Sequence, residues 1–154
     1  METVAAISKK VLFEEELSIT GITEYGFSWE DMRSGDKAIP LEGARFDLNF
    51  EGFARGQDIN GKIIGTDYMN IRADGRFLLT IYGRITTDDG MNIAFYEDGV
   101  LTPSEDDPGK ASLRLNMRLN TADPRYSWVN KLQVWCVGTA DTENRKVKVR
   151  AYSE

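Results

Sequence analysis

The feature that most constrains this chain is an alternation of apolar and polar residues with a period of two. Ala44, Phe46, Leu48 and Phe50 interleave with Arg45, Asp47, Asn49 and Glu51, and Phe77, Leu79, Ile81 and Ile85 interleave with Leu78, Thr80, Tyr82 and Arg84. Successive side chains of an extended chain point to opposite faces, so each run predicts a β-strand with two different faces. The same period recurs in "MNIAFY" from Met91, "SLRLNMRLN" from Ser112, "KLQVWCVG" from Lys131 and "KVKVRAY" from Lys146. "VLFEEELSI" near the start and "TDYMNIR" from Thr66 bring the set to about eight strands. The glycine-containing stretches "EGFARG", "NGK", "ADGR", "DDGM", "EDGV" and "VGT" read as turn signals between them. No amphipathic helix longer than a turn or two is expected. With 154 residues, the chain suits one domain spanning residues 1–154. The expected fold is all-β, an antiparallel β-barrel of about eight strands. A closed barrel is favoured over a sandwich because closure leaves no unpaired edge and eight strands leave room for one small ligand.

Periodicity leaves open which face of each strand lines the lumen. With every apolar face inward, the barrel is a packed core, and Tyr82, Tyr96, Arg114, Asn116 and Arg118 lie outside. With some polar faces inward, those residues line a cavity. The C-terminal strand supports the first arrangement, because Lys146, Lys148 and Arg150 would be very costly inside. The alternating face of Leu113, Leu115, Met117 and Leu119 would then need cover in the second, which leads to the expectation of a homodimer.

Composition removes whole classes of function. The chain has no histidine, so it has no Ser-His-Asp or Cys-His nucleophile, no imidazole ligand for zinc and no imidazole proton shuttle. General acid or base work falls to Asp, Glu, Tyr or Lys. "SEDDPGK" and "TTDDG" are rich in acids but lack the alternating ligand spacing of a calcium loop, so no metal site and no cofactor are expected. A formal charge of -6 without a basic cluster makes nucleic acid a poor partner. The N-terminal "METVAAISKKVLFEEEL" has no apolar run of signal length, and no later run approaches the roughly 18 residues of a spanning helix. The expectation is a cytoplasmic protein with no membrane partner. Cys136, the single cysteine, sits among apolar residues in "LQVWCVG" and reads as a buried, inert thiol.

"GTDYMNIRADGRF", "ITTDDGMNIAFYEDGV", "LRLNMRL", "DPRYSWVNKLQVWCVGT" and the closing "VKVRAY" resemble, in order and spacing, the family known as domain of unknown function 3237, over about Leu41 to Tyr152. That resemblance implies a calycin-like antiparallel β-barrel, often dimeric, without an established general activity. The family's Asp and following aromatic match Asp67 and Tyr68, its arginine matches Arg114, and its Tyr, Trp and Asn after the "DP" turn match Tyr126, Trp128 and Asn130. Many relatives have an acid where this chain has Asn116, and often a histidine in the strand that holds Tyr82.

From these residues a candidate site follows. Asp67 shares strand parity with Met69 and Ile71, so burial of those two would carry its carboxylate into an apolar environment, where it must be paired, hydrogen-bonded or proton-tuned. Arg114 is the expected partner, either in a catalytic pair or in a structural ion pair. Tyr126 would stabilise developing oxyanion charge with it, and Tyr68, Tyr82, Asn116, Trp128 and Asn130 would contact the substrate. The alternative for Tyr126, Trp128 and Asn130 is a structural corner. Trp29, in a turn-like insertion, would fold over the opening as a lid or anchor a surface loop. Two functions fit a small-molecule ligand. One is a cofactor-independent isomerase, cyclase or lyase acting by proton transfer on an apolar oxygenated aromatic or polyketide-like metabolite; the other is a non-catalytic carrier or sensor.

Overall fold

The computed structural model describes residues 9–153; the reading of the N-terminus as free of a signal-length apolar run rests partly on residues 1–8, outside that range. Eight antiparallel strands form a closed up-and-down barrel: β1 Lys10–Glu24, β2 Ala44–Arg55, β3 Asn60–Ile71, β4 Phe77–Thr87, β5 Asn92–Pro103, β6 Lys110–Asn120, β7 Val134–Asp141 and β8 Lys146–Ser153. Each strand pairs with its neighbour in sequence, and β1 pairs with β8 from Lys10↔Ser153 to Ser18↔Lys146, which closes the sheet. Helical structure in the described residues is confined to α1 (Trp29–Ser34) and a 3₁₀ turn at Ser127–Lys131. The expected all-β barrel, strand number and lack of long helix all match. No helix among the described residues is long and apolar enough to cross a membrane.

The alternation resolves in favour of apolar faces inward. Phe46, Leu48 and Phe50 of β2, Leu79 and Ile81 of β4, Leu113, Leu115, Met117 and Leu119 of β6, and Val149 and Ala151 of β8 are buried, while Arg114, Asn116, Arg118, Lys148 and Arg150 are exposed. The leucine face of β6 is thus covered within one chain, which removes the reason given above for a partner surface. The lumen is not uniform along its axis. Toward the end where β2 meets β3 and β6 meets β7, Phe13, Ile63, Ile85, Ile93, Met117 and Val134 are fully enclosed, with Ile59 and Val129 from the connections packed beneath them. That half is solid core. The other half, beneath the α1-containing insertion and the β5–β6 and β7–β8 connections, is hollow.

Glycine corrects one sequence expectation. Gly75 and Gly90 do sit in turns, each with φ near +90°, a conformation that favours glycine. Gly52, Gly61, Gly99 and Gly138, read as turn signals, lie instead inside β2, β3, β5 and β7. Their role is close approach: a Cβ on Gly99 would stand 1.9 Å from the Arg114 carbonyl oxygen, and one on Gly52 would stand 1.9 Å from that of Glu16. Strands that coil tightly around a small lumen bring neighbouring backbone where a side chain would start. Elsewhere the space serves aromatic rings, since Gly65 and Gly83 leave room for the tips of Phe50 and Phe95. Replacing Gly99 by Ala should therefore cost about 1–3 kcal/mol by forcing β5 away from β6. Urea denaturation of the variant measures this, and an unchanged midpoint would show that the strands are free to separate there.

Candidate functional site

The site begins with three acids on the apolar side of their strands. Glu15 follows the parity of Phe13 and Leu17 on β1, Asp67 that of Met69 and Ile71 on β3, and Glu97 that of Ile93 and Phe95 on β5. Inward parity is fixed once the sheet closes, so all three carboxyls enter the lumen, where each residue is at most 7% exposed. They line a cavity of about 380 Å³, together with Leu17, Leu48, Phe50, Met69, Leu79, Ile81, Leu113, Leu115 and Val149. On each of their strands the next inward residue toward the packed end (Phe13, Gly65, Phe95) no longer lines the cavity. The acids therefore form its floor, at the boundary between hollow and solid halves.

Asp67 and Glu97 lie in one cross-strand row, Asp67↔Ile81↔Glu97. Asp67 holds one hydrogen bond: the β3–β4 ladder skips from Asp67↔Ile81 to Asn70↔Leu78, and Thr80 N–H, in that gap, donates to Asp67 Oδ1 at 3.2 Å. One oxygen each of Glu15 and Glu97 is enclosed without any partner. Burial pushes the Asp67 carboxyl up to about 7 against the opposing effect of the Thr80 hydrogen bond, and Glu15 up to about 8. Glu97 is raised well above the usual carboxylate range by burial, with the charges of Glu15 and Asp67 acting in the same direction. The neighbouring Cys136 is fully buried and its thiol is pushed up by burial and by those acids, so it stays a thiol, as the sequence suggested. Among the described residues no group of three or more His, Cys, Asp or Glu is placed to hold a metal ion.

The mouth is covered by the insertion between β1 and β2. Ser28 caps α1 by accepting from Asp31 N–H at 3.0 Å, and Gly35 ends it in the left-handed region. That short helix lays Trp29 edge-on against Phe46, with ring centroids 5.3 Å apart, and brings Met32 and Arg33 over the cavity. Trp29 thus serves as an anchored cover, one of the two roles expected for it.

The remaining sequence-predicted residues are not brought together with Asp67. Arg114 points outward, between Val100 and Val137, and its Nη1 donates to the carbonyl of Leu113 at 2.8 Å. The expected Asp67–Arg114 pair is corrected by parity: adjacent Leu113 and Leu115 occupy the lumen, so the residue between them cannot. Asn116 is outward for the same reason, opposite Trp135. Tyr82, 55% exposed, lies on the outer face between Tyr68, which it meets edge-on, and Tyr96, to which it is tilted, and Arg45 lies over the Tyr68 ring. Tyr126, Trp128 and Asn130 belong to the β6–β7 connection, at the packed end and opposite the mouth. Asn130 clamps Thr121 by accepting from its N–H and donating to its carbonyl, both at 2.8 Å; Tyr126 donates to Asp89 at 2.8 Å; and Trp128 donates to the Arg125 carbonyl at 3.1 Å. They form the structural corner, and the expected convergence of five residues on one open end does not occur. Glu15 and Glu97 were missed, although the signal was present: each is an acid in an otherwise apolar column, the reasoning that selected Asp67.

The raised carboxyls link stability to pH. Between its ordinary value of 4.5 and about 8, Glu15 keeps a proton in the folded chain that the unfolded chain has released, and Asp67 does so between 3.8 and about 7. The folded state therefore binds more protons across that window, and stability falls as pH rises through it. At about 1.4 kcal/mol for each pH unit of the window, the fall is of the order of a few kcal/mol for each of the two carboxyls. Urea denaturation across this range should show the decline, and Glu15→Gln should make it shallower. An identical slope in the variant would place the linkage elsewhere.

Comparison with known proteins agrees with this architecture. No curated protein matches the chain. Among solved structures, a protein of unknown function from Clostridium acetobutylicum superposes with a TM-score of 0.80 at 20% identity, covering 98% of this chain and 99% of that one. A β-barrel-like protein from Acinetobacter baumannii gives 0.73 at 20% identity, covering 98% and 99%. An enzyme from Penicillium herquei gives 0.69 at 18% identity, covering 100% and 99%. These likenesses establish a shared barrel, consistent with a calycin-like description. The family described as "Protein of unknown function (DUF3237)" matches residues 36–153, which takes in strands β2 to β8 and leaves β1 outside, and the chain belongs to that family.

Proposed function

We propose that the hollow half of the barrel is the active site of a cofactor-independent enzyme that acts by proton transfer on a small, largely apolar, oxygenated molecule, as an isomerase, cyclase or lyase. The observation that carries this reading is the floor of three buried carboxyls beneath an apolar cavity. A base that works near neutrality needs a proton affinity matched to that pH, and Asp67, at about 7, has it. Its environment accounts for the value: burial raises it, the Thr80 N–H restrains the rise, and the charge of Asp47 adds to it. The walls around it are largely apolar, with Trp29 and Met32 above. In its ionised form Asp67 would take a proton from a carbon next to a carbonyl; the electron pair moves onto that oxygen, and return of the proton at another carbon completes an isomerisation. Aromatic and polyketide-like molecules match the cavity in size and polarity. The structural similarity to the Penicillium herquei enzyme adds support at the level of the fold.

Incubation with an apolar cyclic ketone such as β-tetralone in deuterium oxide tests the reading without knowledge of the natural substrate. The protein should accelerate exchange of the hydrogens next to the carbonyl, with a rate that rises with pH and levels off above about 7, as Asp67 ionises. Asp67→Asn should lose about two to four orders of magnitude of that rate while keeping the barrel's circular dichroism. Arg114→Ala should leave the rate unchanged, since its side chain is outside. Binding of the ketone without any accelerated exchange would instead indicate the carrier or sensor.

A further inference from the structure

The cavity floor has a one-sided chemistry. Glu15, Asp67 and Glu97 all contribute to it, whereas the two cations that border the cavity, Arg33 and Lys110, belong to α1 and to the start of β6 at the mouth. Both are already engaged there, Arg33 with Glu30 at 3.3 Å and Lys110 with Asp141 at 2.7 Å. A ligand carboxylate or phosphate driven to the floor would meet three acids and no counter-cation, an arrangement with nothing to offset its desolvation. The floor does have something unspent. Glu15 Oε2 and Glu97 Oε2 are enclosed and have no hydrogen-bond partner. A buried carboxyl that retains its proton presents an O–H donor, and a buried polar group is costly until it is met. The complement to such a donor is an uncharged acceptor oxygen.

We propose that Glu15 and Glu97 recognise a neutral oxygen, a ketone or an ether, at the leading end of an otherwise apolar ligand, and that the floor rejects ligands whose leading end is a carboxylate, a phosphate or an ammonium group. The proposal rests on the lumen being the ligand site described above and specifies what it admits. An ammonium ion fares no better than an anion, because it has no acceptor to spare for these O–H groups and gains attraction only if the acids give up protons that burial favours. The ligand then lies with its oxygen between β1 and β5, its apolar body along Leu79, Leu113 and Leu115, and any charged substituent behind, at Lys110 and Arg33.

Isothermal titration at neutral pH with acetonaphthone, naphthoate and naphthylmethylammonium, which share one apolar body and differ in the charge of one end, tests this directly. The ketone should bind, and the anion and the cation should each bind at least about tenfold more weakly. Glu15→Gln and Glu97→Gln should keep ketone affinity within a few-fold, because the amide N–H still donates, while Glu97→Leu should weaken it by about tenfold. Equal or tighter binding of either ion, ketone binding untouched by Glu97→Leu, or failure of all three compounds to bind would overturn the proposal. The ligand comparison needs no variant and so does not depend on how the leucine substitution folds. Deuterium exchange into β-tetralone is read separately, so a wrong charge preference and an absent proton-transfer activity are told apart.

Discussion

The pairing of β1 with β8 is the constraint on which the rest of the molecule depends. Without it, the alternating strands would form an open sheet with two faces, and an acid on the apolar face would have somewhere to go. Closure turns one face into an enclosed lumen, and every residue of that parity is committed to it. Leu113 and Leu115 are carried inside by this rule and Arg114 outside, and the same rule carries Glu15, Asp67 and Glu97 into an interior that is otherwise apolar. The acids are inside as a consequence of topology, and their raised proton affinity is the response.

How that interior is divided decides what the acids can do. In the packed half, fully enclosed side chains such as Phe13, Ile63, Ile85 and Met117 fill the lumen, while Gly65 and Gly83 leave room for the ring tips of Phe50 and Phe95 on the neighbouring strands. In the other half the inward side chains leave about 380 Å³ open. Carboxyls buried in solid core would be only a burden on stability. At the boundary they face open space, and the same desolvation that destabilises the folded chain raises their proton affinity toward neutral pH, as the proposed function requires. The β1–β2 insertion covers part of the mouth by setting Trp29 against Phe46.

The two ends of the barrel separate the candidate site from scaffolding. The β6–β7 connection, with Tyr126, Trp128 and Asn130, ties its own turn to Thr121, Asp89 and Arg125 and seats Val129 beneath the core. The mouth is bordered by Arg33 of α1, Ser104 of the β5–β6 connection and Lys110 at the start of β6. Aromatic and amide side chains suited to ligand contact thus do structural work at one end, while the chemistry proposed for the other would rest on acids whose neighbours are leucines.

Local order in the sequence was sufficient for the strands, because a period of two is a property of the chain itself: the runs through Phe46, Leu79 and Leu115 specify both the extended backbone and which face is apolar. Parity likewise made Asp67 legible as a buried acid, and would have done the same for Glu15 and Glu97. What sequence alone did not decide is which acids share a space and which aromatics face it, because these depend on strands that are neighbours only after the sheet closes and on which end of the barrel each connection reaches. Arg114 and Tyr126 have suitable chemistry and sit in distinctive stretches, yet one lies outside the wall and the other beneath the packed end. Glycine shows the same division: Gly75 and Gly90 are turns by local conformation, whereas Gly52 and Gly99 are interior to strands because another strand's backbone passes where their side chains would be. Proximity between strands is a tertiary quantity, and the candidate site is made of it.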